Sequence, residues 1–249
     1  MTIHEQARRG FGRGAAAYER GRPGYPAEAI AWLLTELELG PGRTVVDVGA
    51  GTGKLTRELV GRGASVLAVE PVSAMRAMLE QAVPGVRALD GKAERLPIED
   101  RTVDAVIVAQ AFHWFDAPKA SAEFHRVLRP RGRLALIWNR RQLDQPLHRQ
   151  ISAIIAPYRG DTPTHYRGEW RQPITADGLF VSVGEFEVPY EQVLDVDGVV
   201  DRVCSTSFIG SLPEPERDAV LSRVRELAER AEPPLRLGYL TEAYVYERT

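Results

Sequence analysis

Asp47, Gly49, Gly51 and Gly53 recur at every second position where the apolar run of VVDVGAGTGKLTREL (45–59) gives way to a helical pattern. Glycines at such a turn let the backbone pass close to a ligand and take dihedral angles closed to other residues. The amides that open the next helix then face that ligand. A dinucleotide loop would read G-x-G-x-x-G, but here Gly49-x-Gly51-x-x leads to Lys54. A phosphate-binding P-loop fails as well: Gly53-Lys54 is followed by Leu55, which offers no hydroxyl to magnesium, and the glycine spacing is wrong. What stands is D-x-G-x-G-x-G. Its Asp47 has two readings, a ligand contact or a structural acceptor for the amides of the glycine loop.

The elements that must position this loop follow from the hydrophobic pattern. PAEAIAWLLTELEL (26–39) carries apolar residues at helical spacing, with Pro26 at its first turn and GPG (40–42) to stop it. Short apolar runs then alternate with helical segments. The runs are 44–48, 65–70, 86–89, 103–110 and 133–139, and the helices between them fall at about 53–63, 72–82 and 116–128. Continuous apolar strands separated by helices predict a parallel sheet covered on both faces. Past residue 140 the rhythm changes. Residues 145–158 read as helix, 159–177 as loop, 179–188 as a half-buried strand, 213–230 as an amphipathic helix and 238–248 as a final strand. The expected fold is α/β, a doubly wound, mostly parallel seven-stranded sheet of Rossmann-like type with an antiparallel C-terminal strand. In such sheets ligands bind beyond the carboxyl ends of the strands, where strand order reverses. The first strand–helix turn, with its glycines, is that place.

Bulk composition narrows the classes. The 249 residues are 44% hydrophobic, which suits one globular domain. A formal charge of −2 gives no electrostatic case for nucleic acid or an anionic membrane. Of 32 basic residues only Lys54, Lys92 and Lys119 are lysines, a skew that carries no chemistry. The single cysteine, Cys204, excludes an internal disulfide framework and a thiolate zinc cluster, and reads as a small buried apolar residue. Arg8-Arg9 is not followed by the apolar stretch of a secretion signal, and no run reaches the ~18 residues of a membrane span. The expectation is a soluble, cytoplasmic protein.

The D-x-G-x-G-x-G pattern resembles the first motif of class I S-adenosylmethionine-dependent methyltransferases, and the likeness continues along the chain. GKAERLPIED (91–100) resembles the loop after the third strand, VDAVIVAQAFHWF (103–115) the fourth-strand motif, and VLRPRGRLALIWN (127–139) the turn before the fifth. YERGRPGYP (18–26) and AFHWFD (111–116) are similar to a bacterial and fungal small-molecule branch that includes trans-aconitate methyltransferase-like proteins. The resemblance implies S-adenosylmethionine as cofactor. Glu70 would accept both ribose hydroxyls, Pro71 would follow it, Ala93 and Glu94 would border the adenine, and Gln110 would close the fourth strand beside the glycines Gly49, Gly51 and Gly53. It also implies one domain over 1–249, divided into a segment folded over the cofactor (1–25), a cofactor-binding core (26–140) and an acceptor lid with the last strands (141–249). Tyr18 and Arg22 would then serve the cofactor, Arg22 by pairing with the methionine carboxylate. Two departures stand out. Arg131 replaces the usual glycine of a Pro-Gly-Gly turn, and Lys92 replaces a frequent aspartate of the adenine loop, leaving Glu94 as the polar partner there.

For the acceptor, the resemblance points to Tyr25, His113, Trp114 and Asn139, and to Tyr166 and Trp170 (with His165) in the irregular stretch after the fifth strand. His113 has two readings: a general base for an oxygen or nitrogen acceptor, since imidazole takes a proton near neutral pH, or packing beside Trp114 and Phe115. Arg140 and Arg141 suit an anionic substrate or a solvated turn. Arg126, Arg129, Arg131 and Arg133, at the opposite edge, read as solvated. The expected reaction is methyl transfer to an oxygen or nitrogen of a small molecule, in line and without a metal. The fourth-strand position lacks the [DNS]-P-P-[YFW] of nucleic-acid and protein amino-methyltransferases, and Cys204 follows Val203 rather than proline. The competing expectation is a protein that keeps the fold and the cofactor but transfers no methyl group.

Overall fold

The computed structural model describes residues 15–163 and 171–249. Helices α1 (Ala15–Gly21) and α2 (Ala27–Glu36) precede the sheet. Then follow β1 (Thr44–Val48), α3 (Lys54–Val60), β2 (Ser65–Val69), α4 (Ser73–Ala82), β3 (Ala88–Leu89), β4 (Val103–Ala109), α5 (Ala117–Val127) and β5 (Leu128–Arg141). The second half adds α6 (Pro146–Ile155), α7 (Arg171–Ala176), β6 (Phe180–Leu194), α8 (Val196–Cys204), α9 (Ser207–Gly210), α10 (Glu214–Glu229) and β7 (Leu235–Arg248). The seven strands form one sheet in the order β3-β2-β1-β4-β5-β7-β6. β7 runs antiparallel to both of its neighbours, β5 and β6.

The apolar runs form strands because both faces of each are covered. On β4, Val106 and Val108 face one core, with Phe124 of α5, while Ala105 and Ile107 face the other, with Ile30 and Leu33 of α2 and Leu59 of α3. A third apolar cluster joins α6, α8 and α10 around Tyr239 of β7. Among the described residues no helix is long and apolar enough to cross a membrane.

The structure departs from the sequence reading in three places. β5 and β6 are longer than expected because β7, lying between them, pairs along their length: Arg133–Arg141 on one side and Phe180–Leu194 on the other. Part of the stretch read as loop over 159–177 is helix α7. The basic run is not simply solvated either. Arg126 pairs with Glu123 and Asp100 at 2.6 Å, Arg129 with the buried Asp104 at 2.8 Å, and Arg133 with Glu38 at 3.2 Å. Those pairs tie the end of α5 and the start of β5 to the segments before β1 and β4 and to Asp104 of β4. Arg131 alone projects outward, 86% exposed, with φ at 64°. A left-handed dihedral costs a non-glycine residue about 1–2 kcal/mol, part of which glycine would return to the unfolded chain as entropy. Arg131→Gly should therefore stabilise the protein by about 0.5–1 kcal/mol, seen as a higher thermal midpoint. A lower midpoint would mean that the loose contact to Glu247 outweighs the strain.

Candidate active site

From β1 the sheet continues to β2 on one side and to β4 on the other, so the loops leaving β1 and β4 diverge and leave a crevice. The cleft there spans about 470 Å³ including its mouth. Gly49, Thr52 and Lys54 form its floor and Gln110 its far wall, while Tyr18 and Arg22 cover it.

The floor is built by backbone conformation. Gly49, Gly51 and Gly53 have φ of 70°, 59° and 85°, and a Cβ on Gly49 would lie 2.9 Å from that of Ala111. Glu70 sits at the end of β2 under this turn. Its Oε2 accepts from the Gly51 amide at 3.0 Å and its Oε1 from the Val72 amide at 2.8 Å. Burial pushes its carboxyl up to about 7, against the pull of those two amides. Asp47 is fully buried, accepts from the Thr56 hydroxyl at 2.6 Å and does not line the cleft. Its described acceptor contact is to Thr56 in the first turn of α3 rather than to amides of the glycine loop, and its Oδ1 is buried without a partner. Burial raises its carboxyl to about 6, with the Thr56 hydrogen bonds opposing.

The cover is α1 and the segment after it. Tyr18 packs with Val72 and Met75 over the glycine loop, and Arg22 lies over the Tyr18 ring at 4.9 Å. Arg22 donates to the Ser205 carbonyl at 2.9 Å, yet its Nε is buried without a partner. Burial first, then the charge of Arg202, lowers its guanidinium to about 10. Arg20 holds Asp201 of α8 through two bonds, at 2.6 and 3.0 Å, and Glu19 accepts from Thr52 at 2.6 Å and Arg57 at 2.9 Å. Gly21 permits the closest approach: a Cβ there would fall 2.3 Å from the Arg202 backbone nitrogen. Gly21→Ala should push α1 off α8 and raise the rate of tryptic cleavage at Arg20 severalfold, while the sheet core stays folded. An unchanged cleavage pattern would show that the contact yields without opening the cover.

The remaining expected site residues divide. Tyr25 and Gln110 both line the cleft, and Gln110 adopts φ of 59°, a strained dihedral of the kind that concentrates at functional sites. Asn139 lines the cleft, but its amide donates to the Gly24 carbonyl at 2.8 Å and accepts from Thr241 at 2.7 Å. It thus fastens the covering segment to β5. Pro71, Ala93 and Glu94 lie outside the lining; Glu94 accepts from the Asp116 amide at 2.9 Å. His113 and Trp114 belong to a short 3-10 turn after β4, half-buried against each other with rings 5.2 Å apart, and neither lines the cleft. His165, Tyr166 and Trp170 lie outside the described residues. Arg202, which does line the cleft, was missed by the sequence reading. Its signal was an arginine within the apolar stripe Val199, Arg202, Val203 of an amphipathic helix.

Residues 46–136 match the model of the methyltransferase domain. The chain is 43% identical over 217 residues to an uncharacterized methyltransferase of Mycobacterium tuberculosis, covering 87% of this chain and 84% of that one. It belongs to the methyltransferase family. A methyltransferase-like protein of Schizosaccharomyces pombe is 32% identical across 96% of this chain and 95% of its own. Among solved structures, one from Anaeromyxobacter dehalogenans, named as a candidate type II methyltransferase, superposes with a TM-score of 0.68 at 24% identity over 90% and 97% of the two chains. Geranyl diphosphate C-methyltransferase from Streptomyces coelicolor, solved with S-adenosyl-L-homocysteine, superposes at 0.53 with 18% identity over 90% and 78%. The glycine loop and fourth-strand turn fall inside the matched domain. The cover and α8 fall outside it.

Proposed function

We propose that this methyltransferase takes S-adenosylmethionine in the cleft at the end of β1 and passes its methyl group to an oxygen or nitrogen of a small molecule. The observation that carries the cofactor half is the set of three left-handed glycines with the Glu70 carboxylate fixed beneath them. A carboxylate offers about four acceptor sites, and two amides occupy only some of them, which leaves room for a pair of vicinal hydroxyls. The unpartnered Nε of Arg22 suits the carboxylate of a methionine moiety. Pro71, Ala93 and Glu94 are the residues we assign to the adenine end. The bound cofactor would supply an electrophilic methyl on a sulfonium. The chain's own part is positioning: the glycine loop and Gln110 fix one reactant, the cover excludes water, and the acceptor is held in contact and in line. For a hydroxyl or amine acceptor the proton leaves to solvent or a base as the new bond forms, and the sulfonium becomes a neutral thioether.

The small-molecule acceptor and the trans-aconitate methyltransferase-like branch are supported by YERGRPGYP, whose residues form the cover, and by the apolar cluster of α6, α8 and α10 beside it. A protein that keeps the cofactor without transferring methyl is the weaker reading, since relatives and structural neighbours alike carry the name methyltransferase. Calorimetry should show S-adenosylmethionine or its demethylated product binding well ahead of NADH; equal affinity for NADH would sink the assignment. Incubation with labelled cofactor and a panel of acceptors, read by mass spectrometry as a gain of about one CH₂ in mass, identifies the substrate.

Because His113 lies off the cleft lining, positioning alone carries the reaction in this reading. A folded His113→Ala variant should keep turnover within a few-fold. A loss in the ~10²–10⁴ range typical of a removed base, with cofactor affinity unchanged, would restore His113 as that base.

A further inference from the structure

At the other end of the sheet, where β1 and β4 begin, a second groove opens that shares no residue with the cofactor cleft. It spans about 840 Å³ including its mouth, more than the cleft does. Four arginines face three carboxylates across it: Arg43, Arg129, Arg131 and Arg133 against Glu38, Asp104 and Glu247. We propose that this groove binds a small phosphorylated molecule whose phosphate is gripped by Arg129 and Arg131. The site is independent of the methyl-transfer reading, which concerns the opposite end of the strands.

Three observations carry it. The first is that donors are left over. Arg126, just outside the groove, shows an arginine fully engaged by the fold: all three guanidinium nitrogens donate, to Glu123, Asp100 and the Leu96 and Ile98 carbonyls. Arg129 engages only its Nη1, on Asp104 at 2.8 Å, and stays half-exposed. The described contact of Arg131 is from Nε to Glu247 at 3.9 Å, too long for a hydrogen bond. The second is that the donors are held in place. The buried Asp104 accepts from Arg43 at 2.9 Å and from Arg129 through the same Oδ1, while its Oδ2 accepts from the Thr44 amide at 2.8 Å. One carboxylate thus holds two guanidiniums side by side. The third is strain. Among the described residues the non-glycines with left-handed φ are Glu38, Arg101, Gln110 and Arg131. Gln110 lines the cofactor cleft, whereas Glu38 at 51° and Arg131 at 64° line this groove. Such dihedrals cluster at functional sites. The loose contact to Glu247 offsets little of the cost at Arg131, and an anion on its guanidinium would offset more. Guanidinium forks suit carboxylate and phosphate alike. Here the arginines come from two segments, before β1 and at the start of β5, and phosphate oxygens point in several directions while a carboxylate offers both in one plane. Glu38, itself exposed, and Glu247 repel an extended polyanion, which limits the ligand to a small molecule.

Titration calorimetry on the full chain at low salt tests this, with phenyl phosphate, phthalate (a dicarboxylate of similar charge) and neutral benzamide as probes. Phenyl phosphate should bind roughly fivefold or more tightly than phthalate, and benzamide not measurably. Arg131→Gly, which should stabilise the fold, should weaken phenyl phosphate by roughly fivefold or more, and so should Arg129→Gln. Arg22→Gln, in the cofactor cleft, should leave that affinity unchanged. Phthalate level with phenyl phosphate, or no phosphate binding, overturns the proposal. A loss seen only in Arg22→Gln also overturns it, by placing the phosphate in the cleft. Tighter binding of a DNA duplex or a polyglutamate peptide, lost in Arg131→Gly, overturns the small ligand and makes the groove a docking surface for a macromolecule. If Arg129→Gln does not fold, Arg131→Gly decides alone, with its folding checked by its thermal midpoint.

Discussion

Replacing Glu70 with alanine should weaken S-adenosylmethionine binding by about 1–3 kcal/mol, a roughly five- to 150-fold rise in Kd, if two ribose hydrogen bonds end on its carboxylate. The same carboxylate makes affinity depend on pH. Burial raises it to about 7 in the free protein, while the Val72 and Gly51 amides and Arg76 favour ionisation less strongly. Only the ionised form presents acceptors to both hydroxyls. Binding should therefore strengthen about tenfold per pH unit as pH rises toward 7 and level off above about 8. Glu70→Gln should flatten that profile. For the stability of the free protein the sign is reversed. A carboxyl raised from its ordinary 4.5 to about 7 contributes stability below 4.5 that is lost as pH climbs to 7. A wild-type Kd that stays constant from pH 6 to 8 would remove Glu70 from the ribose site.

Gly49→Ala should be markedly more damaging than Gly51→Ala in the same glycine loop. Its φ of 70° is left-handed, and the added carbon would meet the Ala111 Cβ at 2.9 Å and Phe115 at 3.4 Å. Dihedral strain and overpacking together cost about 2–4 kcal/mol. Gly51 offers an internal control. Its φ is 59°, but an added Cβ would meet Tyr18 and Met75 only at ordinary contact distances, 3.8 and 3.9 Å. Gly51→Ala should then show the dihedral cost alone, about 1–2 kcal/mol. Urea unfolding of both variants measures the difference. Ala111→Gly in the Gly49→Ala background should recover the crowding part, a coupling that a double-mutant cycle isolates. If Gly49→Ala proves no worse than Gly51→Ala, the turn after β4 moves aside and the close approach is not a constraint.

The strands were readable because local composition alone decides them: a run such as VDAVIVA has no polar face and must be covered on both sides. Where the reading fell short, the missing information was nonlocal. β5 and β6 extend past their apolar stretches because β7 inserts between them, and partner choice is invisible in the residues of either strand. Asn139 could be placed at the end of the fifth strand, but its engagement with Gly24 and Thr241 depends on segments about 100 positions away in each direction. Arg202 escaped because an arginine in an apolar stripe looks like a blemish in an amphipathic helix until the cavity beside it is seen. The glycines were legible because positive φ restricts residue type at the position itself.

The clasp between α1 and α8 joins residues 181 positions apart, Arg20 and Asp201. During synthesis α1 leaves the ribosome first and must wait for its counterpart, which at ordinary translation speeds means roughly 10–40 s. Meanwhile β1 to β4 and their helices can already dock on one another. Docking at that stage would set up the glycine cradle before α8 is there to close it. A nascent chain would meet a ligand through an open face, whereas the finished protein must admit one past a fastened cover. Loading during synthesis and exchange afterwards are therefore different kinetic problems for this molecule, and the rate at which Arg20 lets go of Asp201 belongs only to the second.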